Sequence, residues 1–190
     1  MRAWVWVSLA PLLGASDLVV KALGLGLVAL PVLAAVGVVA WGLRQHGQLV
    51  RTLAALLTAS ALLALADLFL QALAFELRAA LGIYLPLLVV SALAWTEQAP
   101  PRWHSGLRHG LLFSGIALLL GALRESLGSG TLFNHADWLF AASAGNWTLQ
   151  IPGITGLPLL ALIPGGFILL GLLLAASRLV FPSTYSDNDA

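Results

Sequence analysis

The chain contains no cysteine, which excludes disulfide bonds, thiolate metal sites and iron–sulfur clusters held by its own sulfur. Charge is scarce as well, since Asp, Glu, Lys and Arg make up 9% of the 190 residues and the formal net charge is +1. Because the net charge is small and no basic face is visible, the composition gives no basis for nucleic-acid binding.

Apolar residues are what the chain has in abundance. They make up 60% of it, and four long runs hold no Asp, Glu, Lys or Arg, namely 53–66, 81–94, 111–123 and 157–176. Water would not leave so much apolar surface on a soluble domain. We therefore predict an all-α polytopic membrane protein, with a single transmembrane domain over 1–182 and a polar tail at 183–190.

Six apolar segments can be drawn, at about 3–13, 17–43, 49–73, 77–95, 107–127 and 157–180. The first is short, because a helix needs roughly 20 mostly apolar residues to span a bilayer. Its Met1-Arg2 start resembles a signal peptide, yet Pro11 interrupts the stretch and Leu13 stands where cleavage requires a small residue. We expect a short first membrane segment.

Proline interrupts segments one and four. Pro11 lies in the first, and Gly82 and Pro86 lie in the fourth. Proline removes a backbone donor and clashes with the preceding turn, so a helix kinks or breaks there. Broken helices at matching positions indicate inverted repeats, here with half-repeats at about 1–75 and 76–181. Two ordinary kinks, which membrane helices tolerate, would explain the same residues, and the pattern alone leaves both interpretations open.

Lys and Arg near the segment ends predict the orientation, because cytoplasmic loops carry an excess of both. With six segments, one side of the membrane receives Arg2, Arg44, Arg51, Arg102, Arg108 and Arg178, and the other receives Lys21, Arg78 and Arg124. This imbalance predicts that both termini are cytoplasmic.

A Gly-x-Gly-x-x-Ala stretch that begins at Gly24 matches the dinucleotide-binding pattern. The pattern has meaning only between a strand and a helix of a soluble α/β unit, whereas here it lies in a membrane segment. Small residues let helix backbones approach closely in lipid. We therefore expect Gly24 and Gly26, and likewise Gly115, Gly121 and Ala122, to pack against other helices.

Asp67 is the only acid well inside a long apolar segment, about a turn and a half from the end of the third. An ionisable group in the membrane is costly and points to function by default, which makes Asp67 a candidate ion-path residue. The alternative is an interfacial carboxylate that reaches headgroups or a neighbouring amide. The four histidines show no metal-ligand spacing and no nucleophile–base arrangement is visible, so we predict no catalytic or metal site.

The most distinctive stretch is 121–133, Gly-Ala-Leu-Arg-Glu-Ser-Leu-Gly-Ser-Gly-Thr-Leu-Phe. Its residues alone predict a helix that ends with Arg124 and Glu125 at the membrane surface and unwinds through two glycines. The stretch also resembles the Gly-Ala-Ile-Arg-Glu-x-Leu-Gly-x-Gly-Thr-Leu-Phe signature of the Rnf/Nqr membrane subunits. Weaker matches follow in the family's order, at 22–27, at 81–87 (Leu-Gly-Ile-Tyr-Leu-Pro-Leu) and at 162–168 (Leu-Ile-Pro-Gly-Gly-Phe-Ile).

The resemblance, most marked to the E-type subunits of Rnf complexes, implies two inverted three-helix repeats with broken first and fourth helices. It implies an inner-membrane subunit of a bacterial complex that couples electron flow between ferredoxin and nicotinamide nucleotide to ion movement. The partners it implies are a paralogous six-helix subunit and further membrane subunits, and the iron–sulfur and flavin cofactors would belong to those partners.

The chain departs from the family at two positions. In the family each broken helix carries a cysteine, and two such subunits together hold an iron–sulfur cluster through four thiolates. The matching residues here are Ala10 and Ala92, and a methyl group cannot ligate iron. We therefore expect this chain to bind no cofactor and to have a structural or ion-path role. The alternative is a stand-alone small membrane transporter or channel that kept the fold.

Overall fold

The computed structural model describes residues 10–96, 102, 104–140, 148–150 and 156–180. In chain order the elements are α1 (Ala10–Ala15), α2 (Val19–Gly42), α3 (Gln48–Leu73), α4 (Phe75–Leu81), α5 (Tyr84–Thr96), α6 (Ser105–Ser129), β1 (Thr131–Leu132), α7 (Asp137–Phe140), β2 (Leu149–Gln150), α8 (Pro158–Ala161) and α9 (Ile163–Val180). The two strands pair antiparallel, with Thr131 opposite Gln150. The start of the first segment, 1–9, and the tail at 183–190 lie outside the described residues.

Three helices are long and apolar enough to cross a membrane, namely α2, α3 and α6, with 24, 26 and 25 residues. At about 1.5 Å per residue, each is longer than the roughly 30 Å hydrocarbon core of a bilayer. α4 and α5 meet the same criteria together, as a pair bent by 61°. The prediction of an all-α polytopic membrane protein is thus confirmed.

α2 and α6 form a central antiparallel pair, and small residues bring their backbones together. A Cβ atom built at Gly37 would lie 2.6 Å from the Cα atom of Gly106, and one built at Gly121 would lie 2.9 Å from an α2 side chain. Between these points the Ser114 hydroxyl donates a 3.0 Å hydrogen bond to the carbonyl oxygen of Gly26. Packing of this kind holds helices together in lipid, and the packing predicted for Gly26 and Gly121 is confirmed.

Gly24 and Gly115 differ in their surroundings. Gly24 packs against the Leu77 side chain of α4, as predicted. Gly115 lies on the exposed side of α6, and a Cβ atom there would meet no described atom within 4 Å. The packing prediction for Gly115 is wrong, because it faces away from α2, unlike its neighbour Ser114.

Each helix from α1 to α6 contributes residues to the hydrophobic core. Leu12, Leu25, Leu77, Leu88 and Phe113, each from a different helix, belong to one buried cluster. α3 differs from the other helices, since its buried residues are only Ala55, Ala59 and Leu63. Leu62 and Leu70 pack against the core as half-buried residues, and the other leucines of α3 are exposed, as suits a surface that lipid or a neighbouring subunit would cover.

Two helix breaks lie close to the positions four residues before a proline. Pro86 is in the first turn of α5, and α4 ends at Leu81 with Gly82 as its C-cap, whose φ is +45°. Pro164 is in the first turn of α9, and α8 before it ends at Ala161. Proline has no N–H for the carbonyl four residues earlier, so one continuous helix loses a hydrogen bond there. The break in the fourth segment is confirmed. The sixth segment, predicted as one run at 157–180, is divided at Leu162, which corrects that prediction.

The close approach of α2 to α6 yields a prediction. Gly37→Ala should lower the thermal unfolding midpoint of the full chain in detergent, because its methyl group would collide with the backbone of Gly106. Overpacking typically costs about 1–3 kcal/mol, more than the gain of about 1 kcal/mol that alanine brings to a helix. Gly115→Ala is the matched control and should leave the midpoint unchanged or raise it. Equal midpoints for the two variants would contradict the proposed packing.

Candidate functional site

The regions around the first and fourth segments meet inside the bundle. α1 packs against α5. Tyr84, in the first turn of α5, approaches Gly14 so closely that a Cβ atom at residue 14 would overlap the tyrosine ring. Glycine at residue 14 is therefore what allows the start of α5 to lie on α1.

The two positions that carry cysteine in the resembled family lie on these contacting helices. Ala10 is the first residue of α1, and Ala92 lies on α5 with 0% of its surface exposed. Neither position offers a thiolate, and the sequence has no cysteine to replace them. Among the described residues, no three His, Cys, Asp or Glu side chains are grouped to hold a metal ion. The residues present do not fit a cysteine-ligated cluster, and binding of no cofactor stays a prediction.

Arg124 connects the first segment to the last. Its guanidinium Nη1 donates to the carbonyl oxygen of Leu13 at 2.8 Å and to the hydroxyl of Ser16 at 3.2 Å. Nη2 donates to the carbonyl oxygen of Leu162 at 3.2 Å, and Nε lies 3.4 Å from that of Leu160. The residue is 1% exposed. The guanidinium thus supplies donors to the end of α1 and to the break between α8 and α9.

The sequence explains why the carbonyl oxygens of Leu13 and Leu160 lack donors within their own helices. Leu13 lies in the last turn of α1, where carbonyl groups have no intrahelical partner. The partner of the Leu160 carbonyl in a continuous helix would be the N–H of residue 164, which is proline and has none. Lipid supplies no donors, so buried protein groups must. Gly166 leaves the space, since a Cβ atom there would lie 3.3 Å from Arg124 Nη1.

Glu125 accepts hydrogen bonds from backbone N–H groups, whereas Arg124 donates them to backbone carbonyl groups. Its Oε2 accepts a 2.7 Å hydrogen bond from the N–H of Val19, the first residue of α2. Its Oε1 accepts a 2.6 Å bond from the N–H of Asn134 in the turn after β1. A carboxylate at the start of a 24-residue helix also faces the positive end of the helix dipole. Glu125 therefore fixes the entry of α2 and the loop after α6.

The structure corrects the prediction for this charged pair. Arg124 and Glu125 do not end the helix at the membrane surface, because α6 continues to Ser129 and Gly130 closes it with φ +69°. Both side chains are 1% exposed. Sequence reasoning missed their role as buried connectors. The available signal was the cost of two charges beside the small residues Gly121 and Ala122, which allow another helix to come close.

Asp67 forms an ion pair that the sequence analysis did not consider. Arg78 Nε donates to Asp67 Oδ1 at 2.8 Å, and Arg78 Nη2 donates to Oδ2 at 3.0 Å. The Arg78 and Asp67 side chains are 36% and 35% exposed. Asp67 lies on α3, and Arg78 lies on the seven-residue α4. Both carboxylate oxygens are thus held by a neighbour on a short helix that ends at a break.

A groove of about 410 Å³ opens beside this ion pair. Its walls are α3, α4 and α5, and they include Ser60, Asp67, Arg78, Gly82 and Pro86. The groove therefore lies between Asp67, the one candidate site residue predicted from the sequence, and the helix break in the fourth segment. A carboxylate beside an open groove in a membrane helix bundle is able to hold a cation or a proton.

The histidines, for which the sequence predicted no site, are spread over the molecule. His104 and His109 line one cavity at the start of α6, although they do not share a helix face. His46 is exposed, and His135 stacks on Trp138 with ring centroids 4.6 Å apart.

Comparisons with known proteins agree with the resemblance. Residues 3–174 match the model of a family described as "Rnf-Nqr subunit, membrane protein". The E-type subunit of the ion-translocating oxidoreductase complex of Pseudomonas paraeruginosa is 39% identical over 182 residues, which cover 89% of this chain and 75% of the relative. Its namesake from Shewanella oneidensis is 35% identical, with 92% and 79% covered. That from Vibrio atlanticus is 34% identical, with 97% and 82% covered.

The two hydrogen bonds of Glu125 yield a prediction. Glu125→Gln should lower the thermal unfolding midpoint of the full chain in detergent, because glutamine has one carbonyl oxygen for the two N–H groups of Val19 and Asn134. A buried donor left without an acceptor costs about 1–3 kcal/mol. Glu76→Gln is the control, since Glu76 is exposed. A midpoint equal to that of this control would refute the role given to Glu125.

Proposed function

The chain belongs to the Rnf-Nqr family of membrane subunits, and we propose that it serves as the E-type subunit of an ion-translocating oxidoreductase complex in a bacterial inner membrane. The observation that carries the proposal is the likeness to bacterial E-type subunits over about nine tenths of the chain. The apolar outer face of α3, with Leu57 and Leu68 exposed, gives such a subunit a surface for neighbours or lipid.

The chain contributes no cluster ligand in this proposal. The methyl groups at Ala10 and Ala92 leave iron without thiolates from this side. Its role is to hold the broken helices in place through Arg124 and Glu125, and to offer Asp67 to the translocated ion. The iron–sulfur and flavin cofactors belong to partner subunits, among them a paralogous six-helix subunit.

Two inverted half-repeats, about 1–75 and 76–181, are part of the proposal. The second helix of each half, α2 and α6, forms the central antiparallel pair, as an inverted repeat requires. The first segment of each half contains α1 and α5, and these two helices also pack together. Contacts between like elements of the two halves support this part of the proposal.

We infer the orientation in the bilayer from the charges. Both termini are placed in the cytoplasm, because Arg44, Arg51, Arg102 and Arg108 flank helix ends at one end of the bundle and cytoplasmic loops are rich in arginine. The Asp67–Arg78 pair then lies towards the outer side, beside the groove.

The Asp67–Arg78 pair is suited to an ion path because both side chains are partly exposed, at 35% and 36%. The backbone of α4 is anchored in the core by Leu77 and Leu81, which are fully buried. A rotation of the Arg78 side chain would withdraw it from Asp67 without a movement of this core. The freed carboxylate would then accept a cation or a proton from the groove.

Affinity purification tests the assignment. A tagged full-length chain should carry the other membrane subunits of the complex with it from solubilised membranes, and these partners can be identified by mass spectrometry. After the subunits are separated, the isolated chain should hold no iron above the blank, because it has no thiolate. Recovery of the chain alone would favour a stand-alone transporter. Iron that stays with the chain would contradict the role without a cluster.

Asp67→Asn tests the ion path. In proteoliposomes of the complex, we expect the substitution to reduce ion uptake at least about tenfold, because an amide neither carries a charge nor takes up a proton. Electron transfer measured with ion gradients collapsed should fall far less. Glu76→Gln removes an exposed carboxylate on the neighbouring helix and should leave ion uptake unchanged. Normal uptake by the Asp67 variant would exclude Asp67 from the path.

A further inference from the structure

A second cavity, of about 380 Å³, lies away from the groove at Asp67. It opens where α6 begins, beside the last turn of α5. Six of its lining residues carry polar or aromatic groups, namely Trp95, Arg102, His104, Ser105, Arg108 and His109. No described Asp or Glu lines it. The described polar lining of the cavity is thus rich in hydrogen-bond donors and positive charge.

The two arginines of this cavity are available for a ligand. Arg102 and Arg108 are both exposed. Lys21 pairs with Asp17 and Arg78 pairs with Asp67, whereas neither arginine of the cavity forms an ion pair with a described acid. Guanidinium groups of this kind bind phosphate oxygens through charge-assisted hydrogen bonds.

The charged side chains described at the end of the bundle that holds the cavity are all positive. The contact of Gly37 with Gly106 places the end of α2 beside the start of α6, so Arg44 and Arg51 lie at this end as well. The described acids lie at the opposite end, near the start of α2 and the end of α3, and they are Asp17, Asp67, Glu76, Glu125 and Asp137. Such a separation of charge attracts anions to the arginine end.

Trp95 gives an independent indication of a missing acceptor. The side chain lines the cavity and is 3% exposed, and its Nε1–H has no hydrogen-bond partner among the described residues. Buried donors in folded proteins nearly always have an acceptor. The cavity also lies at the start of the 25-residue α6, where the first backbone N–H groups of a helix favour an anion.

The apolar residues around the cavity favour a lipid over a free anion as its ligand. Leu112 lines the cavity, and Leu107 and Leu111 are exposed next to it on α6. A phosphate group between the arginines would therefore have an apolar path beside it, along the helix into the membrane. A free phosphate ion would make no use of this path.

We propose that the cavity between Trp95, Arg102 and Arg108 binds the phosphate group of an anionic phospholipid, whose acyl chains lie along Leu111 and Leu112. Basic pockets between helices at the cytoplasmic surface are suited to such headgroups. The site does not depend on the proposed function of the complex, because it rests on the cavity of this chain alone.

Native mass spectrometry of the full chain in detergent tests the proposal, with phosphatidylglycerol and phosphatidylcholine as the titrated lipids. Phosphatidylglycerol should bind at least about tenfold more tightly, and the Arg102→Gln/Arg108→Gln variant should lose about that factor. Arg44→Gln/Arg51→Gln is the matched control, with the same change of charge at the same end of the bundle, and should stay within about twofold of the unchanged chain. Trp95→Phe should weaken phosphatidylglycerol binding about threefold through loss of the Nε1–H.

Three results would overturn the proposal. Equal binding of the two lipids would exclude recognition of the anionic headgroup. Equal losses in the two double variants would mean that the general charge of this end, and not the cavity, attracts the lipid. Displacement of phosphatidylglycerol by an excess of inorganic phosphate would identify a site for free anions.

Discussion

A backbone carbonyl group at a helix break inside a membrane needs a donor from the protein, because the hydrocarbon around it offers none. Arg124 meets this need at two breaks at once. Its guanidinium reaches the carbonyl oxygen of Leu13 at the end of α1 and those of Leu160 and Leu162 between α8 and α9. One side chain, 1% exposed, thereby connects the first described helix to the last.

The residue beside it explains why a positive charge is tolerated at this depth. Glu125 carries the opposite charge on the same turn of α6, so the buried region is close to neutral overall. The two side chains nevertheless turn to different backbone ends, Arg124 to carbonyl oxygens and Glu125 to the N–H groups of Val19 and Asn134. Each charge therefore faces the helix end whose partial charge it complements. Hydrogen bonds to the backbone, and the helix dipoles, compensate for the loss of water.

The sequence predicted those parts of the fold that depend on local chemistry. Apolar length predicted the spans α2, α3 and α6, and Pro86 predicted a break in the fourth segment, since the missing N–H acts on the chain four residues earlier. The division at Leu162 was missed because Pro158 and Pro164 stand near the start of a segment, where proline is also common in intact helices.

The features that could not be predicted from the sequence depend on tertiary contacts. The burial of Arg124 depends on carbonyl groups 36 to 111 residues away along the chain, which no local pattern contains. The ion pair of Asp67 with Arg78 likewise depends on the turn between α3 and α4. Gly115 and Gly121 are alike as residues, yet only Gly121 faces α2, and this difference comes from the helix face that packs.

Maintenance of the fold and binding of a cluster rest on different residues. The groups that satisfy the breaks are Arg124, Glu125 and the backbone around them, and none of these bonds involves position 10 or position 92. Ala92 is fully buried on α5, so a methyl group fills that place in the core without a polar atom that would need a partner. A chain with alanine at both positions can therefore keep its broken helices in place while these two positions offer iron no thiolate. The residues that maintain the fold are thus separate from the positions that carry cysteine in the resembled family.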